Sequence, residues 1–302
     1  MANELPEPLR SEVKRFLLER ADRIRSEEAK RNYLKVAKSL ARLAGIRSLA
    51  ELDREAYFRW KRALVSEGIS DFTLRAYIQY VKALIKWARG GELPSWLVEE
   101  KSGTWELYSR ADHLRNKILS PEELEALLQA CTTARDRAII GILAETGIRV
   151  GELCSLRLRD VEQLSDGAVR LYVRGKTGVR TVVFFEAVED LWAYMERERK
   201  GPVDPDAPLF TTRDGRLLRP KAVRTMLARL ARKAGLKRPV HPHMLRHTRM
   251  TQLARVLTEQ ELKVVAGWSM TSKMPAVYVH LSGRDAETAL RKARQGHHLK
   301  SQ

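Results

Sequence analysis

The stretch TGIRVGEL, residues 146–153, places Arg149 between Gly147 and Gly151 at a junction of two predicted helices. Glycine tolerates backbone conformations that other residues avoid, so we expect it to relax the chain at this junction. The Arg149 guanidinium would then project into a cleft. Because a guanidinium is permanently charged and forked, it suits the oxygens of a phosphate or a carboxylate. This stretch therefore directs attention to an anionic ligand.

The composition is that of a folded, strongly basic protein. Of the 302 residues, 44% are apolar and 31% are charged, and a chain of this length buries a full core and favours two domains. It carries 56 Lys and Arg against 38 Asp and Glu, a formal net charge of +18. An excess of this size favours a polyanionic partner, with nucleic acid ahead of an anionic membrane surface.

The chain shows no signal for a membrane or for export. No segment approaches the ~18 apolar residues that a membrane span needs, and the start MANELPEPLR lacks the apolar core of a signal peptide. The two cysteines, Cys131 and Cys154, provide neither a disulfide framework nor a metal cluster, so we expect both to be structural. We therefore predict a cytoplasmic protein without membrane association.

The N-terminal region, residues 1–112, has the pattern of successive amphipathic helices. One predicted helix ends at Gly45 and places these apolar residues on one face: Tyr33, Val36, Leu40 and Leu43. A second ends at Gly90 and has this inward face: Leu74, Ile78, Val81 and Ile85. Off the first face lie Lys30, Lys35, Lys38 and Arg42. Such a basic face is either a solvated surface or a DNA contact, and the net charge favours DNA.

A linker predicted at about residues 91–118 precedes a second domain, residues 119–302, which opens on a capping box. Ser120 takes the N-cap position, Pro121 the first helical position and Glu123 the third. Helices follow, and two runs of β-forming residues, AVRLYVRG and VRTVVFFE, flank a Gly-Lys-Thr-Gly turn, which predicts a β-hairpin. The predicted fold class is mainly α with a small antiparallel β-sheet, an α+β arrangement.

The turn of this hairpin, RGKTG at residues 174–178, contains the Gly-Lys-Thr end of a nucleotide-binding P-loop. A P-loop also needs a glycine five residues before the Gly-Lys pair and a helix after the lysine. Arg170 stands at the required position and a predicted strand follows. We therefore expect Lys176 to serve some other phosphate chemistry than nucleotide binding.

Three further patterns follow in the second domain. HPHMLRHT, residues 241–248, places His243 and Arg246 three apart on one helical face. AGW, residues 266–268, comes directly after a capped helix, and MPAVYVH carries Tyr278 on a short segment. Taken singly, each has an ordinary explanation, such as a core histidine, a packed tryptophan or a half-buried tyrosine.

In this order, the motifs resemble the catalytic domain of the tyrosine recombinase (phage integrase/Xer) family. TGIRVGEL, the lysine hairpin, HxLRHT and the final Tyr-x-His follow one another over roughly residues 119–290. The helical region before them resembles, on fewer features, the family's core-binding domain. GWSMTSKMPAVYVHLSG is most similar to integrases from archaea and their mobile elements. Most members of the family have histidine where this chain has Trp268.

The resemblance implies a role for each matching residue. Tyr278 would be the nucleophile that forms a 3′-phosphotyrosine and releases a 5′-hydroxyl. Arg149 and Arg246 would grip the non-bridging phosphate oxygens, while Lys176 would protonate the leaving 5′-oxygen. The other matching residues would assist proton transfer, pack near the phosphate or support the site: His243, Trp268, Glu152 and His247.

These residue types suit phosphodiester chemistry without a metal or ATP, so we expect the protein to need no cofactor. The transition state gathers negative charge on oxygens that fixed guanidiniums can stabilise. Tyrosine, with a pKa near 10, needs a base or a positive field, and the poor alkoxide leaving group needs a general acid. The covalent bond to the enzyme conserves the energy of the cleaved one, so ligation needs no nucleotide.

The resemblance also implies partners. Double-stranded DNA with a specific recombination site would be bound by a homo-tetramer that passes through a Holliday junction. A helix predicted from about Asp285 would dock either on a neighbouring protomer or on its own domain, through this apolar face: Ala286, Ala289, Leu290 and Ala293.

Three other functions stay open on the sequence. A type IB topoisomerase uses similar residues to relax DNA as a monomer. A catalytically silent DNA-binding regulator would share the basic charge. A metal site could use His241, His243 and His247, although zinc usually takes three or four protein ligands and no acidic or cysteine partner is evident nearby.

Overall fold

The computed structural model describes residues 5–100, 114–175 and 178–283. The chain divides into two compact units, residues 1–105 and 106–302, and the division falls inside the predicted linker. None of the helices within the described residues is long and apolar enough to cross a lipid bilayer.

The N-terminal unit is helical throughout its described elements. Its α-helices are α1 (Leu9–Glu19), α2 (Glu27–Ala44), α3 (Arg54–Ser66), α4 (Asp71–Ala88) and α5 (Ser95–Val98). Val36 and Leu40 of α2 and Val81 of α4 are fully buried, which confirms both predicted apolar faces. Gly45 ends α2 with a φ of 77°, a left-handed conformation that glycine adopts without strain.

The basic residues off the α2 face are partly engaged within the unit itself. Lys30 pairs with Glu27 at 2.7 Å, and Arg42 pairs with Glu67 at 2.7 Å. Lys35 lies 5.7 Å from the centre of the Tyr77 ring. These contacts orient the cations, but they leave positive charge exposed along the helix.

The C-terminal unit combines helices with one antiparallel sheet. Its α-helices are α6 (Pro121–Gln129), α7 (Ala134–Thr146), α8 (Val150–Ser155), α9 (Val188–Arg197), α10 (Pro220–Lys233), α11 (Pro242–Leu253), α12 (Glu259–Ala266) and α13 (Met274–Leu281). The predicted capping box at Ser120 is present: its hydroxyl accepts from the Glu123 backbone N–H, and the Glu123 carboxylate accepts from the Ser120 N–H.

The sheet has the strand order β1-β2-β3. The predicted hairpin is confirmed as β2 (Val169–Gly175) and β3 (Gly178–Phe184), which pair antiparallel with Gly175 opposite Gly178. A further strand, β1 (Val161–Gln163), was not predicted, because three residues with two polar side chains carry too little alternation to indicate a strand.

The junction between α7 and α8 depends on one of its two glycines. Gly147 has a φ of +64°, a left-handed conformation that favours glycine, and a Cβ added there would lie 2.5 Å from Met250 Cε, which would have to shift. Gly151 instead lies inside α8, and its added Cβ would meet no atom within 4 Å. The expectation that Gly151 relaxes this junction is therefore wrong.

Two apolar clusters form the core of this unit. The larger packs α7 against the sheet and the neighbouring helices, and includes Ile140 and Leu143 of α7 and Val173 of β2. A smaller cluster joins α11, α12 and α13 and contains these residues among its members: Met250, Leu262, Val277 and Tyr278. This smaller cluster fixes the position of Tyr278 relative to the α11 motif.

Candidate active site

Arg246 is the buried centre of the site. It projects from α11 with only 4% of its surface exposed. Its Nη1 donates to the carbonyl oxygen of Gly147 at 2.7 Å, and its Nη2 donates to that of Ala266 at 2.7 Å. Burial, followed by the positive charge of Arg149, lowers its pKa to about 10, so the group remains charged at neutral pH.

Arg149 lies beside it at the start of α8. Its Nη1 donates to Oε1 of Glu152 at 2.8 Å, and its Nη2 donates to the carbonyl oxygen of Gly267 at 3.2 Å. Its side chain is 36% exposed, in contrast to that of Arg246. The two guanidiniums thus reach adjacent carbonyls at the end of α12, and that of Arg149 is partly exposed to solvent.

Glu152 is buried between two arginines. It accepts from the Arg149 side chain, from the Arg149 backbone N–H at 2.8 Å, and from Arg180 Nη2 at 2.7 Å. Burial alone would raise the pKa of this carboxyl, but the hydrogen bonds from Arg180 and from the Arg149 backbone hold it below its ordinary value. Glu152 is therefore ionised and lies where a supporting residue was predicted, and its role stays a prediction.

Arg180 is a site residue that the sequence reasoning missed. It lies on β3, and its Nε also donates to the carbonyl oxygen of Val265 at 2.9 Å. A signal was present: Arg180 alternates with Val182 and Phe184, whose side chains are buried, so a charge stood on the core face of a predicted strand. A buried charge requires a partner, and Glu152 provides it.

Tyr278 is sequestered in this structure. It is 1% exposed, and its hydroxyl oxygen lies 2.6 Å from Nδ1 of His247. Its ring stacks on that of Trp268, with centroids 5.4 Å apart and planes 17° apart. The guanidinium carbon of Arg246 lies 5.4 Å from the centre of the Trp268 ring. The predicted nucleophile, tryptophan and buried arginine are thus in contact.

His247 is the neutral partner of that hydroxyl. Burial, followed by the nearby charges of His243 and Lys117, lowers its pKa to about 3. A neutral imidazole whose proton sits on Nε2 can accept the hydroxyl's hydrogen bond at Nδ1. The ring therefore holds the tyrosine in place at neutral pH.

His243 lies at the rim of the site, exposed to solvent. The interpretation of this residue as a core histidine is wrong, since α11 directs it outward. Partial burial, followed by the charges of His241 and Arg246, lowers its pKa. Its ring centroid lies 6.3 Å from that of His247 and 6.4 Å from that of His241.

The geometry does not support a metal site on these histidines. Within the described part of the chain, no group of three His, Cys, Asp or Glu side chains is placed to hold a metal ion. The separation of the ring centroids leaves the three imidazoles spread along the beginning of α11.

Lys176 lies outside the described residues, as does Thr177. Gly175, the residue before Lys176, lies beside the site. A Cβ added at Gly175 would lie 2.9 Å from Oε1 of Glu152 and 3.2 Å from Nη1 of Arg180. The strand that leads to Lys176 therefore ends against the carboxylate that holds Arg149.

Comparisons with known proteins identify the family and the fold. The model of the "Phage integrase family" matches residues 117–284, more than half of the chain. A tyrosine recombinase XerC from Bacillus pumilus is 35% identical over 197 residues, which cover 60% of this chain and 61% of that protein. The match thus spans less than two thirds of the relative's length. This relative is bacterial, and the archaeal source stays a prediction.

Solved structures share the fold. The XerH site-specific recombinase bound to palindromic difH substrate has a TM-score of 0.68 at 20% identity, over 96% of this chain and 91% of that one. A lambda integrase tetramer bound to a Holliday junction has a TM-score of 0.66 at 17% identity, over 92% of this chain and 78% of that one. The fold is mainly helical with a small antiparallel sheet, as predicted. On the family model and this shared fold, the chain belongs to the phage integrase family.

Proposed function

We propose that this protein is a site-specific DNA recombinase that cleaves and rejoins DNA through a 3′-phosphotyrosine on Tyr278. The observation that carries the proposal is the convergence of Arg149, Arg246 and Tyr278. The two guanidiniums reach the adjacent carbonyls of Gly267 and Ala266, and Arg246 contacts Trp268, which stacks on Tyr278.

This arrangement suits phosphoryl transfer. Fixed guanidiniums stabilise the charge that gathers on the phosphate oxygens in the transition state. In cleavage the Tyr278 hydroxyl gives its proton to His243 as its oxygen forms a bond to phosphorus. The bond from phosphorus to the 5′-oxygen breaks, and a proton from Lys176 neutralises that oxygen. His243 assists the proton transfers from the rim. Ligation is the reverse sequence, so neither a metal nor ATP is required.

The burial of Tyr278 adds a conformational step. A hydroxyl that is 1% exposed and held 2.6 Å from His247 cannot meet a DNA phosphate where it stands. Cleavage therefore requires that α13 or its neighbours move when DNA binds. Such movements can limit the rate of an enzyme.

Positive charge beyond the site supports a DNA partner. A cavity of about 880 Å³ beside α10 is lined by these cations among other residues: Arg135, Arg216, Arg219, Lys221 and Arg229. Beneath it Asp136, 1% exposed, pairs with Arg135 at 2.9 Å and Arg229 at 3.0 Å, which holds both guanidiniums in place. A fixed group of cations matches a phosphate backbone, which dominates the affinity of proteins for DNA.

The assembly and the domain roles belong to the same proposal. Recombination needs protomers on two DNA sites, so we infer a homo-tetramer on a Holliday junction. The C-terminal segment from Asp285, predicted to dock either on a neighbouring protomer or on its own domain, lies outside the described residues. The N-terminal unit would bind DNA through the basic surface of α2, and the protein would act in the cytoplasm, where its DNA substrate lies.

The test is covalent trapping on a nicked suicide substrate, in which loss of a short fragment after cleavage prevents religation. The wild-type protein should give a protein–DNA adduct on a denaturing gel, and Tyr278→Phe should give none. Adduct formation in EDTA would agree with chemistry that needs no metal. Absence of an adduct with the wild type would instead favour a silent DNA-binding regulator.

A second assay separates the recombinase from a topoisomerase. The recombinase should exchange strands only between DNA molecules that carry its site. Efficient relaxation of supercoiled plasmids of any sequence by a monomer would favour the topoisomerase.

A further inference from the structure

We propose that Arg180 is a positioning residue for strand cleavage, acting on Arg149 through Glu152. The inference rests on the proposed function, and it assigns a role to a residue outside the predicted catalytic set. Arg180 does not touch the substrate itself in this scheme. Its part is to fix the carboxylate that aims the solvent-facing arginine.

The contacts of Arg180 distinguish it from a residue that binds DNA, because all three of its guanidinium nitrogens donate to protein acceptors. Its side chain is 9% exposed, against 36% for Arg149. Its guanidinium donates to both oxygens of Glu152, at 3.2 Å and 2.7 Å, and to the carbonyl oxygen of Val265 at 2.9 Å. These contacts direct the forked group toward protein acceptors on α8 and α12.

The hydrogen bonds of Glu152 connect Arg180 to Arg149. Its Oε1 accepts from Arg149 Nη1, and its Oε2 accepts from the Arg149 backbone N–H, while Arg180 donates to both oxygens. A fork of two parallel hydrogen bonds fixes the plane of a carboxylate better than one bond does. Arg180 therefore sets the orientation of Glu152, which in turn sets that of Arg149.

The charges lead to the same conclusion. One carboxylate between two guanidiniums leaves a net positive charge, so Arg149 keeps attraction for a phosphate. Without Arg180, Glu152 would pair with Arg149 alone, and the pair would be neutral. The loss of Arg180 would thus weaken the stabilisation of charge in the transition state.

Gly267 lies closely against the guanidinium of Arg180. A Cβ added at Gly267 would lie 2.7 Å from Nη1 of Arg180. With its φ of +61°, Gly267 ends α12 and allows the guanidinium to pass between β3 and that helix end. The same glycine presents its carbonyl to Arg149.

A second route to catalysis must be distinguished. Arg180 lies on the strand that follows Lys176, so its loss could act by displacing the leaving-group acid instead of Arg149. Two substrate changes separate the routes. A methylphosphonate replaces a charged non-bridging oxygen by a neutral methyl group and lessens the need for Arg149. A 5′-bridging sulfur makes the leaving group easy and lessens the need for Lys176.

The experiment measures single-turnover cleavage of suicide substrates by the full-length wild type, Arg180→Gln and Arg180→Lys. Arg170→Gln is the matched control, because Arg170 pairs with Glu162 at 2.9 Å on the neighbouring strand, away from the site. On normal DNA, cleavage by Arg180→Gln should fall on the order of 10- to 100-fold, the loss expected from a slightly misplaced group. Arg180→Lys keeps the positive charge but not the forked geometry, so its cleavage rate should fall by a smaller factor. Non-covalent DNA affinity should stay within about twofold.

The defect of Arg180→Gln should shrink on methylphosphonate DNA and persist on 5′-bridging-sulfur DNA. Lys176→Ala should show the opposite pattern. The proposal would be overturned if the 5′-bridging sulfur restored cleavage by Arg180→Gln. It would also be overturned if the cleavage defect of this variant were equal on all substrates, or if the variant had no defect. Where Arg180→Gln fails to fold by circular dichroism, Arg180→Lys takes the same test. Failure of the wild type to cleave would instead overturn the proposed function, and with it this inference.

Discussion

The Tyr278 hydroxyl lies 2.6 Å from Nδ1 of His247, and the Tyr278 ring stacks on that of Trp268. This hydrogen bond joins the predicted nucleophile to a neutral imidazole from the motif that also provides Arg246. The pair therefore holds the reactive group in a defined resting position, away from solvent.

The contribution of this hydrogen bond can be measured with a double-mutant cycle. His247→Leu should lower the free energy of unfolding by about 1–3 kcal/mol, because the buried hydroxyl loses an acceptor. Adding Tyr278→Phe should cost less in that background than it does in the wild type, since both partners of the bond are then gone. Denaturant unfolding measures all four proteins. Strictly additive effects would show that the contact does not stabilise the fold.

Stability should also depend on pH through His247. The pKa of His247 in the folded protein, about 3, lies below its ordinary value of 6.5. Between these two pH values the unfolded chain therefore binds a proton at His247 and the folded protein does not. This contribution to stability is complete above about pH 6.5 and is lost as the pH falls toward 3, by up to about 1.4 kcal/mol per pH unit. Unfolding free energies of His247→Gln should show a shallower slope in this window. An unchanged slope would mean that His247 titrates normally.

The two glycines of TGIRVGEL provide a matched pair. Gly147→Ala should lower the free energy of unfolding by about 1–3 kcal/mol, because alanine would be strained at the positive φ of this position. Gly151→Ala should leave stability unchanged or raise it by up to about 1 kcal/mol, since alanine favours a helix and its Cβ would meet open space. Thermal and denaturant unfolding measure both. Equal effects would contradict the described junction.

Arg246→Lys should abolish covalent adduct formation while retaining most DNA affinity. Lysine keeps a positive charge but cannot donate to Gly147 and Ala266 with the same forked geometry. Many other cations bind the backbone, so non-covalent affinity should fall by less than about tenfold. Gel-shift titration and suicide-substrate cleavage give the two quantities. Normal cleavage by Arg246→Lys would show that the reaction does not require the guanidinium of Arg246.

DNA affinity should fall steeply with salt. A protein that neutralises several phosphates releases counterions, so the logarithm of affinity falls linearly with that of salt concentration, with a slope of about −0.9 per phosphate contact. Binding titrations between roughly 50 and 200 mM salt measure this slope. Substituting Arg216 and Lys221 by Gln should make the slope shallower if the α10 cavity faces the backbone. An unchanged slope would indicate that the DNA backbone binds at a different surface of the protein.

The sequence predicted much of the site because the order of its motifs is specific. Arg149, Arg246, Trp268 and Tyr278 are far apart in the chain, yet the structure brings them together. The lysine hairpin was predicted because β-forming residues and a glycine turn are local signals. The roles of these residues stay predictions until they are tested.

The remainder depends on tertiary contacts that local patterns do not encode. The bond between Arg180 and Glu152 joins β3 to α8, and neither residue's immediate neighbours indicate the other. The burial of Tyr278 depends on how α13 packs against α11, which the spacing of Tyr278 does not fix. The solvent exposure of His243 likewise follows from the orientation of α11, which directs Arg246 inward instead.

The most direct test of the central claim is to locate the covalent bond. Wild-type protein trapped on a nicked suicide substrate would be digested with protease, and the DNA-linked peptide would be sequenced by mass spectrometry. We expect a 3′-phosphate attached to Tyr278 and no adduct with Tyr278→Phe. A bond to any other residue, or an undiminished adduct with Tyr278→Phe, would contradict it.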